Sequence, residues 1–89
     1  MESNFEIGDI VVSLSGHDKN QLFIVVGIDK NGYLAIIDGK YRKRGNSKTK
    51  NPKHLKKVAH DEKILEKVNS NVATDTEIYK LIKVYNIKE

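Results

Sequence analysis

Two short turn signals divide the first half of the chain into apolar runs of strand length. Asn31-Gly32 and Asp38-Gly39 each combine a residue that tolerates a positive φ with a glycine, a pattern that joins antiparallel strands in tight hairpins. The apolar runs beside these turns are short and rich in β-branched residues, which favours strands over helices. The pattern therefore predicts an antiparallel sheet in which consecutive strands pair.

Five segments of the chain are predicted to be strands: 9–14, 21–28, 33–37, 40–44 and 55–58. In the first, Ile10, Val12 and Leu14 alternate with more polar residues and are expected to face the core. The second is apolar at nearly every position, which indicates burial on both faces, with Gly27 at a bulge or bend. The fourth is basic and exposed, with Tyr41 as its inward residue.

The C-terminal third changes to a helical period. Asp61 and Glu62 suit the N-terminus of a short helix. Thr74 and Glu77 form a capping box, and an apolar stripe with i, i+3, i+4, i+7 spacing follows it, which predicts a helix over 75–86. We expect a mainly β domain over residues 5–59, of barrel or sandwich type, and a helical appendage over residues 60–87 that packs on it.

Positive charge is concentrated in the segment Gly39–His60. This segment holds nine of the sixteen Lys and Arg residues, whereas all twelve acidic residues lie outside it, so a net charge of +4 is strongly polarised. Such a segment attracts polyanions, of which nucleic acids are the commonest. The alternatives are a solvated face, or an edge strand that its charge protects from aggregation.

Several classes of site are disfavoured by the sequence. There is no cysteine, and the three histidines lack ligand-like spacing, so neither a metal nor another cofactor is expected. Ser13, His17 and Asp18 occur without a nucleophile elbow, so no enzyme is predicted. The N-terminus lacks a signal-peptide pattern and the longest apolar run, Leu22–Val26, is too short to span a membrane, so a cytoplasmic protein is expected.

The chain resembles the KOW motif of SH3-like barrels, in which a strand, a turn with Gly and Lys, and a second strand follow one another: 8–12, 16–20 and 23–26. The Asp-Gly-Lys-x-Arg-Lys turn at 38–43 and the Asn-x-Lys-His-Leu box at 51–55 resemble short bacterial KOW-domain RNA-binding proteins. Those proteins are relatives of the fourteenth large-subunit ribosomal protein family of archaea and eukaryotes. Asn20 stands where the family usually has glycine, and asparagine tolerates the left-handed conformation that this turn needs.

The resemblance implies an SH3-like β-barrel of about five strands followed by two helices, acting without catalysis. Its implied partner is structured RNA, especially large-subunit rRNA on the ribosome, with ribosomal proteins nearby. Nothing in the sequence demands more than a monomer. The RNA contacts carried over by position are Gly16, Asp18, Lys19, Asp38, Gly39, Lys40, Arg42, Lys43, Asn51, Lys53 and His54. Charge and location add His17, Arg44, Lys48, Lys50 and Lys56, and a regular basic strand would align Lys40, Arg42 and Arg44 as a phosphate row.

Other functions remain open at this point. A KOW domain can also serve as a protein-interaction module of the transcription and translation machinery. A DNA-binding barrel is less favoured, because the sequence shows no recognition helix that carries the basic residues. Tyr33 and Tyr41 are residues of a type that stacks on unpaired bases, although a position in the core or at its edge is favoured for both.

Overall fold

A computed structural model describes residues 5–87, which form five β-strands followed by two α-helices. The elements are β1 (Asp9–Ser13), β2 (Leu22–Ile28), β3 (Leu34–Ile37), β4 (Lys48–Lys50), β5 (Leu55–His60), α1 (Glu62–Asn69) and α2 (Asp75–Ile87). Single-turn 3-10 helices at Arg44–Asn46 and Pro52–His54 lie on either side of β4. The predicted order of a strand-rich part and two C-terminal helices is confirmed.

The strands form one open antiparallel sheet with the order β4-β3-β2-β1-β5. At the predicted hairpin between β2 and β3, Gly32 has a φ of +86° and the carboxylate of Asp29 accepts hydrogen bonds from the backbone N–H groups of Asn31 and Tyr33. The bulge expected at Gly27 is confirmed, because the β2–β3 register shifts between Val25 and Gly27. These local features fix the central meander of the sheet.

Both faces of β1 and β2 are covered. On one face, apolar residues of the first three strands pack with Ile64, Ile78 and Ile82 of the helices. On the other face, residues of β1, β2 and β3 pack with Leu55 of β5. The expectation that β1 is only half-buried is therefore wrong: Val11 on its second face is fully buried, whereas Leu14, expected to face the core, is 46% exposed.

The predicted strand over residues 40–44 does not form. An irregular loop covers residues 38–43, and the strand that pairs with β3 is β4, through the partners Leu34–Lys50 and Ile36–Lys48. Tyr41 is 75% exposed, so it is not the inward residue of a strand, and Tyr33 is also exposed. The prediction that Lys40, Arg42 and Arg44 form a row along one face of a strand is therefore wrong.

Both helices begin at the predicted positions, and Asp61, predicted only as part of an acidic N-terminus, caps the first of them. The carboxylate of Asp61 accepts a hydrogen bond from the N–H of Ile64 at 2.9 Å. In the capping box of α2, Thr74 Oγ1 accepts from the N–H of Glu77 and the Glu77 carboxylate accepts from the N–H of Thr74, each at 3.1 Å. Neither helix within residues 5–87 has the length and apolarity needed to cross a bilayer.

Candidate nucleic-acid interface

Three connections come together at one surface: the β1–β2 turn (14–21), the β3–β4 loop (38–47) and the β4–β5 connection (51–54). The third begins at the hairpin end of β3, where Asn51 Nδ2 lies 3.4 Å from the hydroxyl of Tyr33, and runs from there to the β1–β2 turn. The first touches the third through a 2.8 Å hydrogen bond from the N–H of Leu14 to the carbonyl of His54. It also shares with the β3–β4 loop a cleft whose walls include His17, Tyr41 and Arg42. The β3–β4 loop and the β1–β2 turn, which lie far apart in sequence, thus form one surface with the β4–β5 connection, and we call this surface the loop end.

Asp18 is the buried centre of the loop end. Its carboxylate accepts hydrogen bonds from Ser13 Oγ at 2.7 Å, Lys48 Nζ at 2.6 Å and Lys50 Nζ at 2.9 Å. Lys50 also donates to the carbonyl of Ser15, and its side chain is only 10% exposed. Lys48 and Lys50, both predicted RNA contacts, therefore tie β4 to the β1–β2 turn.

Asp18 stays ionised despite its burial. Loss of solvent opposes ionisation, but the hydrogen bonds from Lys48, Ser13 and Lys50 outweigh it and hold the pKa of Asp18 well below its usual range. A carboxylate with a depressed pKa stabilises the folded protein above its unfolded-state pKa of about 3.9, and that contribution is lost as the pH falls toward the folded-state pKa. The ion cluster thus fixes the turn at neutral pH and weakens in acid.

We expect Asp18→Asn to lower the free energy of unfolding by about 2–4 kcal/mol at pH 7, because it leaves the ammonium of Lys50 buried without a counter-charge. Since the variant has no carboxylate to protonate at this site, its stability should change less than that of the wild type between pH 5 and pH 2. Urea unfolding across this pH range measures both effects. Asp29→Asn is the matched control, because Asp29 caps an exposed turn. An equal loss of stability in both variants would contradict the role given to Asp18.

The β3–β4 loop is organised by Asp38. One carboxylate oxygen, Oδ1, accepts hydrogen bonds from the backbone N–H groups of Lys40, Tyr41 and Arg42 at 2.8–2.9 Å. Gly39 has a φ of +79°, and a Cβ there would lie 2.3 Å from the carbonyl oxygen of Asp75 in α2. The loop is therefore held in a fixed shape against the start of α2, and both Asp38 and Gly39 act as scaffold beneath the side chains that follow them.

A set of cations at the loop end and on adjacent β5 forms no ion pair with a carboxylate within residues 5–87: Lys19, Lys40, Arg42, Lys43, Lys53 and Lys56. All are exposed except Arg42, which is half-buried. Gly16 and His17 lie in the turn near Lys19, and His54 is exposed beside Lys53. Asn51 caps the 3-10 helix by accepting a hydrogen bond from the N–H of Lys53. These residues present an uncompensated positive surface.

Arg44 differs from the other predicted contacts. Its guanidinium donates to the carbonyl of Ala73 and, at 2.6 Å, to Asn71 Oδ1, while its backbone N–H donates to the carboxylate of Asp75 at 2.8 Å. These acceptors lie in the α1–α2 connection and at the start of α2. Arg44 therefore fastens the β3–β4 loop to the helices.

An aromatic pair lies beside these cations, and the sequence did not predict it as a unit. Lys40 Nζ lies 5.1 Å from the ring centroid of Tyr41 and 5.6 Å from that of Tyr79 in α2. These distances are within the range of cation–π attraction. The helical period places Tyr79 outside the apolar stripe of α2, but no local sequence pattern connects Tyr79 with Tyr41, which lies far away in the chain.

A second ionic cluster lies where β1 and β5 meet α1. The fully buried carboxylate of Asp9 is 2.7 Å from His60 Nδ1 and 3.3 Å from Lys57 Nζ. The hydrogen bond to Asp9, assisted by Glu62, raises the pKa of His60. Glu6, Asp9 and His60 hold atoms of metal-ligand type within 4.8 Å of one another, but the ammonium of Lys57 already lies beside the carboxylate of Asp9 and opposes a further cation. The arrangement thus fits an internal ion network.

Comparison with known proteins adds no identification. No protein-family model matches the chain, and no curated protein matches it in sequence.

Proposed function

We propose that this protein is a non-catalytic RNA-binding protein that associates with the ribosome and contacts structured rRNA through the loop end. One observation carries the proposal: the carboxylates of the three connections, Asp18 and Asp38, are buried and hydrogen-bonded internally, whereas most of the cations there are exposed. Asp75, a half-buried acid that borders the β3–β4 loop, accepts a hydrogen bond from the backbone N–H of Arg44. The exposed cations still outnumber the carboxylates near them, so the loop end keeps a positive field, and phosphate chains complement such a field.

We also propose that the open sheet is curled as in an SH3-like barrel of the KOW type. In a flat sheet β4 and β1 would be about 14 Å apart, since two strands lie between them. Lys50 Nζ of β4 nevertheless lies 3.1 Å from Ser13 Oγ of β1. Leu55 of β5 also packs with Leu34 and Ile36 of β3 in one cluster. Both contacts favour a strongly curved sheet whose inner face is a second small core.

The chemistry of the loop end suits recognition of backbone and shape. Lysines supply mobile point charges for phosphates, and the half-buried Arg42 adds a planar guanidinium that can hold a phosphate through two hydrogen bonds. Folded RNA is bound mainly through its backbone and shape, so a lysine-rich surface fits it well. With roughly five phosphate contacts, the logarithm of the affinity should fall with the logarithm of salt concentration at a slope of about −3 to −4.5.

Co-sedimentation tests the proposal. The tagged protein is followed through sucrose gradients of cell lysate at low and high salt, and the occupied fractions are crosslinked to RNA. We expect migration with the large subunit at low salt, release at high salt, and crosslinks at residues 40–57. Absence from every ribosomal fraction at low salt would overturn the ribosomal assignment.

Binding to purified rRNA fragments separates the proposal from the main alternative. An RNA-binding protein retains affinity for rRNA that has been stripped of protein, with the salt dependence given above. Co-sedimentation without any affinity for stripped rRNA would instead favour a protein-interaction module of the translation machinery.

A further inference from the structure

We propose that the loop end holds one unpaired RNA base, stacked on Tyr41 in the cleft between the β3–β4 loop and α2. This inference rests on the proposed RNA binding and specifies its substrate: structured RNA that offers a single-stranded loop or bulge next to a helix. Phosphates on either side of the base would then contact Lys40, Arg42 and Lys43.

The first argument is the position of Tyr41. Its side chain is exposed, whereas its backbone N–H is held by the carboxylate of Asp38 at 2.9 Å. A large exposed aromatic side chain on a fixed backbone can cover a flat partner without first ordering its loop, so little conformational entropy is lost on binding. Aromatic side chains in this situation are the usual platforms for unpaired bases.

The second argument is the cleft beside the ring. A cavity of about 290 Å³ lies between the loop and α2, and its walls include Tyr41, Tyr79 and Lys40. This volume is at the lower limit for small-molecule pockets, which suits a single ring system. The ammonium of Lys40 lies near both tyrosine rings, where it can also meet the phosphate of a bound nucleotide.

The third argument is the chemistry of the cavity rim. Asn20, Gln21 and Asn86 contribute side-chain amides, each with a donor and an acceptor group. Asn20 is in the left-handed conformation, with a φ of +74°, where the β1–β2 turn meets β2. Amides can pair with the edges of an exposed base, which a duplex would hide. Ring, amides and cations together fit a nucleotide, which combines a flat ring with polar edges and a phosphate in one unit, better than they fit an acidic peptide, whose aromatic and acidic groups belong to different residues.

The test compares two RNAs with the same stem. One carries an unpaired loop with 2-aminopurine at a single loop position, and the other is a continuous duplex. For the wild type we expect tighter binding to the loop RNA and a change of 2-aminopurine fluorescence on binding. Tyr41→Ala should weaken loop binding about 5- to 150-fold and leave duplex binding unchanged, whereas Tyr41→Phe should keep the wild-type affinity for both.

Val84→Ala is the control for loss of an exposed apolar side chain, because Val84 is 53% exposed in α2 and is not part of the cavity wall. Tyr33 is unsuitable as a control, because Asn51 Nδ2 at the loop end lies 3.4 Å from its hydroxyl. Circular dichroism establishes that each variant is folded. Equal affinity of wild type and Tyr41→Ala for the loop RNA would overturn the stacking site, and so would unchanged fluorescence. If the duplex binds and the loop gives no advantage, only this inference fails. If neither RNA binds at low salt, the proposed function fails as well.

Discussion

Reversing the charges of Arg42 and Lys43 together, as Arg42→Glu and Lys43→Glu, is expected to weaken binding to structured RNA about a hundredfold at about 150 mM salt. Each substitution replaces an attraction to phosphate by a repulsion, and about 1.4 kcal/mol per site corresponds to a factor of ten. The dependence of log affinity on log salt should also become shallower by about 2, one for each lost phosphate contact. Titration of rRNA fragments at several salt concentrations measures both quantities.

The fold should tolerate this double substitution. The loop takes its shape from the backbone N–H of Arg42, which donates to Asp38, and this bond does not involve the changed side chains. Neither side chain forms an ion pair within residues 5–87. The far-ultraviolet circular dichroism spectrum and the urea midpoint should therefore remain close to those of the wild type. A loss of RNA affinity can then be attributed to the changed surface charge and not to unfolding.

Lys30→Glu is the matched control for charge reversal. Lys30 is exposed in the β2–β3 hairpin, which the seven residues of β2 separate from the β1–β2 turn by about 20 Å, and Arg42 and Lys43 lie in the loop at that same far end of β3. At that distance, beyond the screening length at physiological salt, reversal should change the affinity by no more than about threefold. A loss as large as that of the double variant would mean that net charge, and not the loop end, determines binding.

Residues close together in sequence made most of the fold predictable. The Asn31-Gly32 hairpin, the Gly27 bulge and the Thr74 capping box are local arrangements, and all three occur. The strand predicted after Asp38-Gly39 failed for an equally local reason. One carboxylate oxygen of Asp38 accepts hydrogen bonds from three successive backbone N–H groups. Because these N–H groups are already bonded, they cannot pair with β3.

The candidate site was harder to predict, because the partners that distinguish its cations are distant in sequence. The basic segment was recognisable as a unit, but Lys50 pairs with Asp18, 32 residues away, and Arg44 bonds to Ala73, 29 residues away. Charge patterning shows how many cations a segment has, and only the fold decides which of them face solvent. That distinction now favours Arg42 and Lys43 over Arg44 and Lys50 as contacts for phosphate.

Replacing Gly39 by alanine is expected to destabilise the protein by about 2–5 kcal/mol. Alanine at a φ of +79° costs about 1–2 kcal/mol in backbone strain. Its Cβ would also lie 2.3 Å from the carbonyl oxygen of Asp75 and 2.7 Å from the backbone nitrogen of Tyr79, and overpacking of this kind costs about 1–3 kcal/mol more. Urea unfolding of the variant measures the sum.

Alanine substitutions at two other glycines distinguish the cost of backbone strain from the cost of overpacking. Gly32 has a φ of +86°, and no atom of residues 5–87 outside its own turn lies within 4 Å of where a Cβ would stand, so Gly32→Ala should cost only the strain of about 1–2 kcal/mol. Gly45 is in the same loop as Gly39, has no positive φ and is equally free of close neighbours in that part of the chain. Gly45→Ala should therefore change stability by no more than about 0.5–1 kcal/mol. The expected order of destabilisation is Gly39, then Gly32, then Gly45.

The difference in destabilisation between Gly39→Ala and Gly32→Ala measures how firmly α2 holds the β3–β4 loop. If Gly39→Ala costs clearly more than Gly32→Ala, the loop cannot move away from the helix without loss of packing, and Lys40 and Tyr41 are presented to solvent on a rigid support. Equal costs would mean that the helix shifts freely. In that case the cleft between Tyr41 and Tyr79 would not be a preformed site, and the stacking of an unpaired base there would lose its structural basis.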